Sequence, residues 1–172
     1  MKTFNKTILL LMAVVAISFT SCKKDDDGGD DGGAASGQLS AKVAGSDYTS
    51  EVALTTAIRS DVDGTSTLLI TANTMNGKNI TLSIMGGFEG VGSYNIGGGA
   101  NIFVSASYGE ADASNPTDVE MWVAPYDTSV TGKINVAELS STTVKGTFNF
   151  RGLNADGTYK DITEGSFNVD FK

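Results

Sequence analysis

The stretch TLLITANTMNGKNITLSIM, residues 67–85, indicates the fold more strongly than any other part of the chain. Two runs with apolar residues at alternate positions flank Asn76-Gly77, the pattern of a β-hairpin. A two-residue loop at Asn76-Gly77 would pair an apolar face with a mostly polar one. A three-residue loop over residues 75–77 instead places six apolar residues on one buried face. The resulting pairs are Leu68 with Ile84, Ile70 with Leu82 and Ala72 with Ile80. Because such loops end on a left-handed residue, for which Gly77 is suited, the sequence predicts the three-residue turn.

The same alternation recurs about every ten residues outside this hairpin, and no segment has sustained helical periodicity. Short breaks rich in Gly, Asn and Asp separate most of the candidate strands. These strands cover residues 39–43, 49–59, 67–74, 78–85, 93–96, 102–108, 119–126, 131–139, 143–151 and 165–171. The pattern predicts an all-β domain, an antiparallel β-sandwich or flattened barrel of about 9–10 strands.

Three segments share the order Gly, hydroxyl, aromatic, Asn, apolar, and begin at Gly92, Gly146 and Gly165. Their uneven spacing excludes a blade or solenoid period, so convergent strand chemistry explains them better than duplication. The last segment continues an apolar row at alternate positions almost to the terminus, through Phe167, Val169 and Phe171. We therefore expect the C-terminal strand to lock into the sheet.

The N-terminal residues have the composition of an export signal. Lys2 and Lys6 precede an apolar run over residues 8–17, which is shorter than the roughly 20 residues needed to span a bilayer. Residues 19–22, Phe-Thr-Ser-Cys, then resemble the lipobox of bacterial lipoproteins, although Phe stands where Leu is usual. We therefore expect a signal peptide over residues 1–21 and lipidation of Cys22.

Lipidation would attach fatty acyl chains such as palmitate to the N-terminal Cys22, and several chains give stable anchoring where one binds only marginally. It would also occupy the single cysteine of the chain. Residues 22–37 form an acidic tether rich in Gly and Asp, and a domain follows over residues 38–172. The lysines and aspartates at 23–27 resemble the export signal of Bacteroidetes-type surface lipoproteins. That resemblance implies an outer-membrane location with the domain exposed at the cell surface, in preference to a periplasm-facing anchor.

Composition excludes several classes of function. From residue 38 onward there are eight Lys and Arg against fifteen Asp and Glu, a net charge of −7 (8 − 15). Such a domain repels nucleic acid, so no nucleic-acid partner is expected. The chain has no histidine, which excludes Ser-His-Asp and Cys-His catalysis and imidazole metal sites. It also lacks the glycine motifs that bind nucleotides, so no cofactor is expected.

Three acidic segments contain residues of the kind that bind calcium. Residues 61–64 (Asp-Val-Asp-Gly) and 154–157 (Asn-Ala-Asp-Gly) lack the carboxylates that an EF-hand needs at its first and twelfth positions. They are better interpreted as Asp-Gly turns. Residues 109–118, predicted to be a loop, contain Glu110, Asp112 and Asp118, and a solvated loop is the favoured interpretation over a weak ion site. No metal site is predicted.

The best candidate for ligand binding is Glu120-Met121-Trp122-Val123-Ala124-Pro125-Tyr126. If Met121 and Val123 face the core, the opposite face carries Glu120, Trp122 and Tyr126, a platform suited to stacking on sugar rings or docking a protein. The opposite phase buries Trp122, and a lone tryptophan in a small β domain more often belongs to the core. Phe103 raises the same question, because Ile102, Val104 and Ala106 are predicted to face inward.

The order of elements resembles a β-rich domain of unknown function found in Bacteroidetes-type lipoproteins. The resemblance rests on short motifs at residues 92–94, 132–136, 144–148 and 162–167, and it implies no established activity and no catalytic residues. The sequence therefore favours a non-catalytic binding or structural module with a glycan or protein as ligand. The alternative is a surface hydrolase using paired carboxylates, but nothing in the sequence brings two of the six glutamates of the domain together.

Overall fold

The computed structural model describes residues 33–99, 102–112, 114–125 and 127–172. These residues form eleven strands and one short 3₁₀ turn, Val52–Leu54. The strands are β1 (Gln38–Val43), β2 (Ser46–Thr49), β3 (Thr55–Val62), β4 (Thr65–Asn73), β5 (Lys78–Ile84), β6 (Gly92–Gly97), β7 (Val104–Asp112), β8 (Asn115–Val123), β9 (Val130–Leu139), β10 (Thr143–Leu153) and β11 (Tyr159–Asp170). Within those ranges, no helix is both long enough and apolar enough to cross a bilayer. Asp31–Lys172 is one compact unit whose described residues build a core of their own.

All strand pairs are antiparallel, and they join into one open sheet that folds into two layers. One layer has the order β6-β9-β10-β11-β1-β2 and the other β8-β7-β5-β4-β3, and the strand pair β8–β10, through Leu153 and Val123, connects them. The layers pack face to face. Tyr48 of β2 meets the ring of Tyr108 of β7 edge-on at 6.2 Å and donates a 2.6 Å hydrogen bond to the carbonyl of Ala72 in β4. The prediction of an all-β antiparallel fold is confirmed, as an open two-layer arrangement rather than a closed barrel.

The strand count exceeds the prediction because residues 49–59 are not one strand. The buried Ser50 hydroxyl accepts hydrogen bonds from the Leu39 amide (2.9 Å) and the Thr55 hydroxyl (2.7 Å). After β2, which pairs with β1, the chain makes the 3₁₀ turn and crosses to the other layer as β3. A hydroxyl that bonds to the backbone competes with continued strand pairing, and this explains the break.

The β4–β5 hairpin has the predicted register. Thr74 pairs with Lys78 across a loop of residues 75–77, and Gly77 has φ +80°. The six apolar residues form the predicted pairs, and each is at most 1% exposed. The two Asp-Gly segments are also turns. Asp63 and Gly64 have φ of +50° and +78° in the β3–β4 hairpin, as a type I′ turn requires, and residues 154–157 turn the chain from β10 to β11.

The repeated glycine-aromatic segments pair with one another in the second and third copies. Gly146 lies opposite Phe167, and Phe148 lies opposite Gly165, in the β10–β11 ladder. A Cβ on Gly146 would come 2.0 Å from the Asn135 carbonyl oxygen, so no other residue fits there without moving β9. Because glycine and aromatic stand two positions apart, antiparallel pairing seats each aromatic ring against the glycine of the other strand. The repeat thus serves packing within the sheet, as its uneven spacing suggested.

The C-terminal strand is locked into the sheet as predicted. Phe167 and Val169 are buried and Phe171 is partly buried. Beyond the end of β11, Phe171 forms a parallel bridge with Ala57 of β3, and the Lys172 amide donates to the Ala57 carbonyl at 3.1 Å. The terminus therefore holds the two layers together at this edge.

Candidate functional site: the Glu110 cleft

The predicted aromatic platform on β8 is not formed, because the strand has the opposite phase. Met121 and Val123 are 38% and 42% exposed, whereas Trp122 is 4% exposed and belongs to the core. The Trp122 ring packs on Tyr108 at 5.9 Å, and its Nε1 donates to the Thr158 hydroxyl at 3.3 Å. The alternative interpretation, a core tryptophan, therefore describes the structure. The sheet decides the phase, because Trp122 is opposite the buried Tyr108 in the β7–β8 register.

The other predicted site residues are not brought into one site. Glu120 is exposed and projects on the same side of β8 as Trp122. Phe103 is 53% exposed just before β7, at the opposite end of that strand from Glu110. Ile102, predicted to face inward, is 60% exposed, because β7 begins only at Val104. Two predicted residues, Tyr126 and the lipidation site Cys22, lie outside the described residues, as does the tether as far as residue 32.

The segment predicted to be a loop at 109–118 is mostly strand, because β7 continues to Asp112 and β8 begins at Asn115. The Asp112 carboxylate accepts hydrogen bonds from the Ser114 amide and hydroxyl, both at 2.7 Å, and these bonds lower the pKa of Asp112. Asp112 therefore stabilises the tight β7–β8 turn. Within the described ranges, no group of three or more Asp, Glu, His or Cys side chains is placed to hold a metal ion.

Glu110 is instead the centre of a half-buried polar network at one end of the sandwich. Its Oε2 lies 2.8 Å from the Lys160 ammonium, and its Oε1 accepts the Tyr108 hydroxyl. Lys160 also stacks over the Trp122 ring, with Nζ 3.6 Å from the ring centre. The side chains of Glu110 and Lys160 are 30% and 21% exposed, far less than in the other ion pairs of the described chain. The Glu110 carboxylate therefore links β7 of one layer to β11 of the other.

The network keeps Glu110 ionised. Desolvation acts to raise the pKa of this carboxyl group, but the hydrogen bonds from Lys160 and Tyr108 and the positive charges of Lys160 and Lys78 outweigh it and lower the pKa. Burial raises the pKa of Tyr108, and the hydrogen bond and charge of Glu110 raise it further. A carboxylate that stays ionised and already accepts two hydrogen bonds is a poor proton donor. It is better suited to stabilising the fold or to binding a ligand.

A cleft opens beside this network between the β1–β2 turn and strands β5, β7 and β11. It has a volume of about 150 Å³. We call it the Glu110 cleft, and its lining is Val43, Ala44, Ser46, Asp47, Tyr48, Lys78, Tyr108, Glu110 and Lys160. A second depression of about 350 Å³, between β2 and the β4–β5 turn, shares Asp47, Tyr48 and Lys78 with it. Lys78 is partly buried where the two meet, and its ammonium has no ion pair among the described residues. Lys78 and Asp47 thus offer a donor and an acceptor to a ligand.

Sequence reasoning missed this site for a specific reason. Alternation along residues 104–110 does place Tyr108 and Glu110 on one face, but the sequence predicts a loop from residue 109 onward. Lys160 precedes the last predicted strand, whereas β11 begins at Tyr159. The network also requires β11 to lie over β8, and no local pattern encodes that contact.

Fold and site together define a two-layer antiparallel β domain with a small amphoteric cleft at one end. A family model for a domain of unknown function, DUF6252, matches residues 46–169, and the chain therefore belongs to this family. The matched residues include every residue that lines the Glu110 cleft except Val43 and Ala44. No curated protein and no solved structure matches the chain.

Proposed function

We propose that this chain is an outer-membrane lipoprotein, anchored through lipid on Cys22 and exposed at the cell surface, whose β domain binds a ligand without catalysis. The anchor is supported by the basic start, the short apolar run and the single cysteine after small residues. The lysines and aspartates at 23–27 support surface exposure. The described residues of Asp31–Lys172 form one compact unit with its own core, as expected of a domain that follows a tether.

Two measurements on cells expressing the full chain test the anchor. Metabolic labelling with an alkyne fatty acid should mark the protein, and Cys22→Ser should abolish the label; a label that persists in this variant contradicts lipidation at Cys22. Protease treatment of intact cells should then remove the domain. A domain that is cut only after the outer membrane is permeabilised faces the periplasm, contrary to the proposal.

The binding role rests on the Glu110 cleft. It combines the ammonium of Lys78, the exposed carboxylate of Asp47 and a network that fixes the cleft wall. Convergent donors and acceptors in a concave site are the usual basis of ligand recognition. The ligand we propose is a glycan or a protein, since hydroxyl and amide groups can bond to both residues.

Binding can be tested with residues 31–172 on a glycan array and in a pull-down from cell extracts. Lys78→Ala should weaken binding of any ligand held in the cleft, whereas Lys133→Ala on the outer face of β9 should leave it unchanged. Equal binding by both variants would exclude the Glu110 cleft as the site. Trp122 is unsuitable as a probe because its removal would damage the core.

A hydrolase using paired carboxylates is favoured by one observation. Glu110 and Glu120 lie directly opposite each other in the β7–β8 register, where Cβ atoms are about 5 Å apart. Retaining glycosidases use two carboxyl groups about 5–5.5 Å apart, and side chains that start from neighbouring Cβ atoms on one face can reach such a separation. Because Lys160 keeps Glu110 charged, Glu120 would have to supply the proton. Turnover of a glycan substrate that is lost in both Glu110→Gln and Glu120→Gln would support this function, and binding without turnover would exclude it.

A further inference from the structure

The outer surface of the layer β8-β7-β5-β4-β3 carries no charged side chain at any described outward position. The inward residues of these strands are set by the core, for example Ile70 and Leu82, so their neighbours Leu69, Thr71 and Thr81 point outward. In the regular ladders of β3, β4, β5 and β7 and in residues 119–123 of β8, every Asp, Glu, Lys and Arg has inward parity, as Arg59 and Lys78 do. We call this surface the neutral face.

The residues of the neutral face form straight rows across the strands. The central row is Thr56, Thr71, Thr81, Ser107 and Val123, joined pair by pair in register. The ladders β3–β4, β4–β5 and β5–β7 have no register shift, so this part of the sheet is regular. Small Thr, Ser, Asn, Gly and Ala side chains fill most of the centre. Such a surface allows another sheet to approach closely.

Aliphatic side chains border the neutral face on both sides. Val119, Met121 and Val123 of β8 are 50%, 38% and 42% exposed, and Ile58 of β3 is 45% exposed at the other edge. The outer surface of the opposite layer differs sharply, because Lys133, Lys145 and Arg151 project from it together with acidic residues. The two outer surfaces of the sandwich therefore have different chemistry.

We propose that the neutral face is the interface of a homodimer, in which two copies of this domain pack sheet to sheet. Charge is the first argument. The domain carries a net charge of −7, so two copies repel wherever carboxylates meet, and the neutral face is the broad surface by which they can approach without burying a charge. Depletion of charged residues is also what distinguishes the core of protein interfaces.

Area is the second argument. Five strands at about 4.8 Å and three to four residue rows at about 6.8 Å span roughly 24 Å by 20 Å. Two such faces bury on the order of 1,000 Å², the lower limit for a specific interface. The dimer is therefore weak and concentration-dependent. A twofold axis along β5 places Val123 of β8 in each copy opposite Thr56 and beside Ile58 in β3 of the other, and brings the two Thr81 side chains together.

Sedimentation equilibrium of residues 31–172 from about 10 µM to 1 mM tests the proposal. The average mass of the wild-type domain should rise towards twice the monomer value. Thr81→Glu should remain monomeric because the axis brings two carboxylates together. Thr147→Glu, at an exposed position of β10 on the opposite outer surface, is the matched control and should associate like the wild type.

A charge-swap mixture separates repulsion from damage to the fold. Thr81→Lys alone should also be monomeric, whereas an equimolar mixture of Thr81→Glu and Thr81→Lys should associate at least as strongly as the wild type. A monomeric wild type at 1 mM, equal behaviour of the Thr81→Glu and Thr147→Glu variants, or a mixture that stays monomeric would each overturn the proposal. These outcomes do not depend on lipidation or on ligand binding in the Glu110 cleft.

Discussion

The Glu110–Lys160 ion pair should be the strongest ionic coupling in the described domain. We consider the variants Glu110→Gln and Lys160→Met, alone and combined, at pH 7. Gln retains an acceptor for the Tyr108 hydroxyl, and Met retains most of the apolar stem that covers Trp122. The double-mutant cycle therefore isolates the interaction between the two charges.

The magnitude follows from distance and burial. At 2.8 Å and with side chains 21% and 30% exposed, the pair corresponds to a hydrogen bond between charged groups, for which about 1.5–3 kcal/mol is typical. Lys160→Met also removes the cation–π interaction of the ammonium with the Trp122 ring, which adds about 1 kcal/mol to the cost of that single variant. The exposed pair Lys145–Glu138 has nearly the same distance, 2.9 Å, but 43% and 67% exposure, so its coupling should be below about 1 kcal/mol.

Urea unfolding followed by tryptophan fluorescence measures both cycles in residues 31–172. The pKa of Glu110 is lowered in the folded state, so its contribution is present above the unfolded pKa and is lost as pH falls through the folded value. The coupling should therefore persist at pH 7 and vanish well below about pH 4. A coupling at pH 7 no larger than that of Lys145–Glu138, or one that does not decrease as the Glu110 carboxylate is protonated in the folded state, would refute the reasoning.

Three further predictions concern stability, measured as urea midpoints by circular dichroism because Trp122 is the single tryptophan of the chain. Trp122→Ala should cost about 3–5 kcal/mol because the ring is core, and a loss below 1 kcal/mol would contradict this placement. Gly146→Ala should cost at least about 3 kcal/mol or prevent folding, since its Cβ would lie 2.0 Å from the Asn135 carbonyl oxygen, whereas Gly87→Ala, which meets nothing within 4 Å, should be close to neutral. Gly77→Ala should cost about 1 kcal/mol or more because φ is +80°, and an unchanged midpoint would show that the turn relaxes.

Several features of the fold follow from local chemistry alone. The β4–β5 register follows from the apolar pattern and from Gly77, because a shift of one residue would expose the whole apolar face. The Asp-Gly turns and the C-terminal strand follow in the same way. Each of these features depends on residues close together in the sequence.

Other features could not be predicted because they depend on which strands become neighbours. Alternation allows either face of β8 to be inward, and only the pairing of Trp122 with Tyr108 selects one. The Glu110–Lys160 pair joins residues 50 positions apart in opposite layers (160 − 110). The packing role of the glycine-aromatic repeat likewise depends on the β10–β11 ladder, because only that pairing places Gly146 opposite Phe167.

The amino-acid sequence by itself thus determined the all-β class, the turns and the register of the hairpin at 67–85, since these depend on side-chain periodicity and backbone freedom. The tertiary structure alone decided that Trp122 is buried, that Glu110 meets Lys160 beside a cleft, and that one outer surface is free of charge. The physical reason is that periodicity assigns residues to two faces of a strand, whereas only the packing of layers decides which face is covered and what lies opposite.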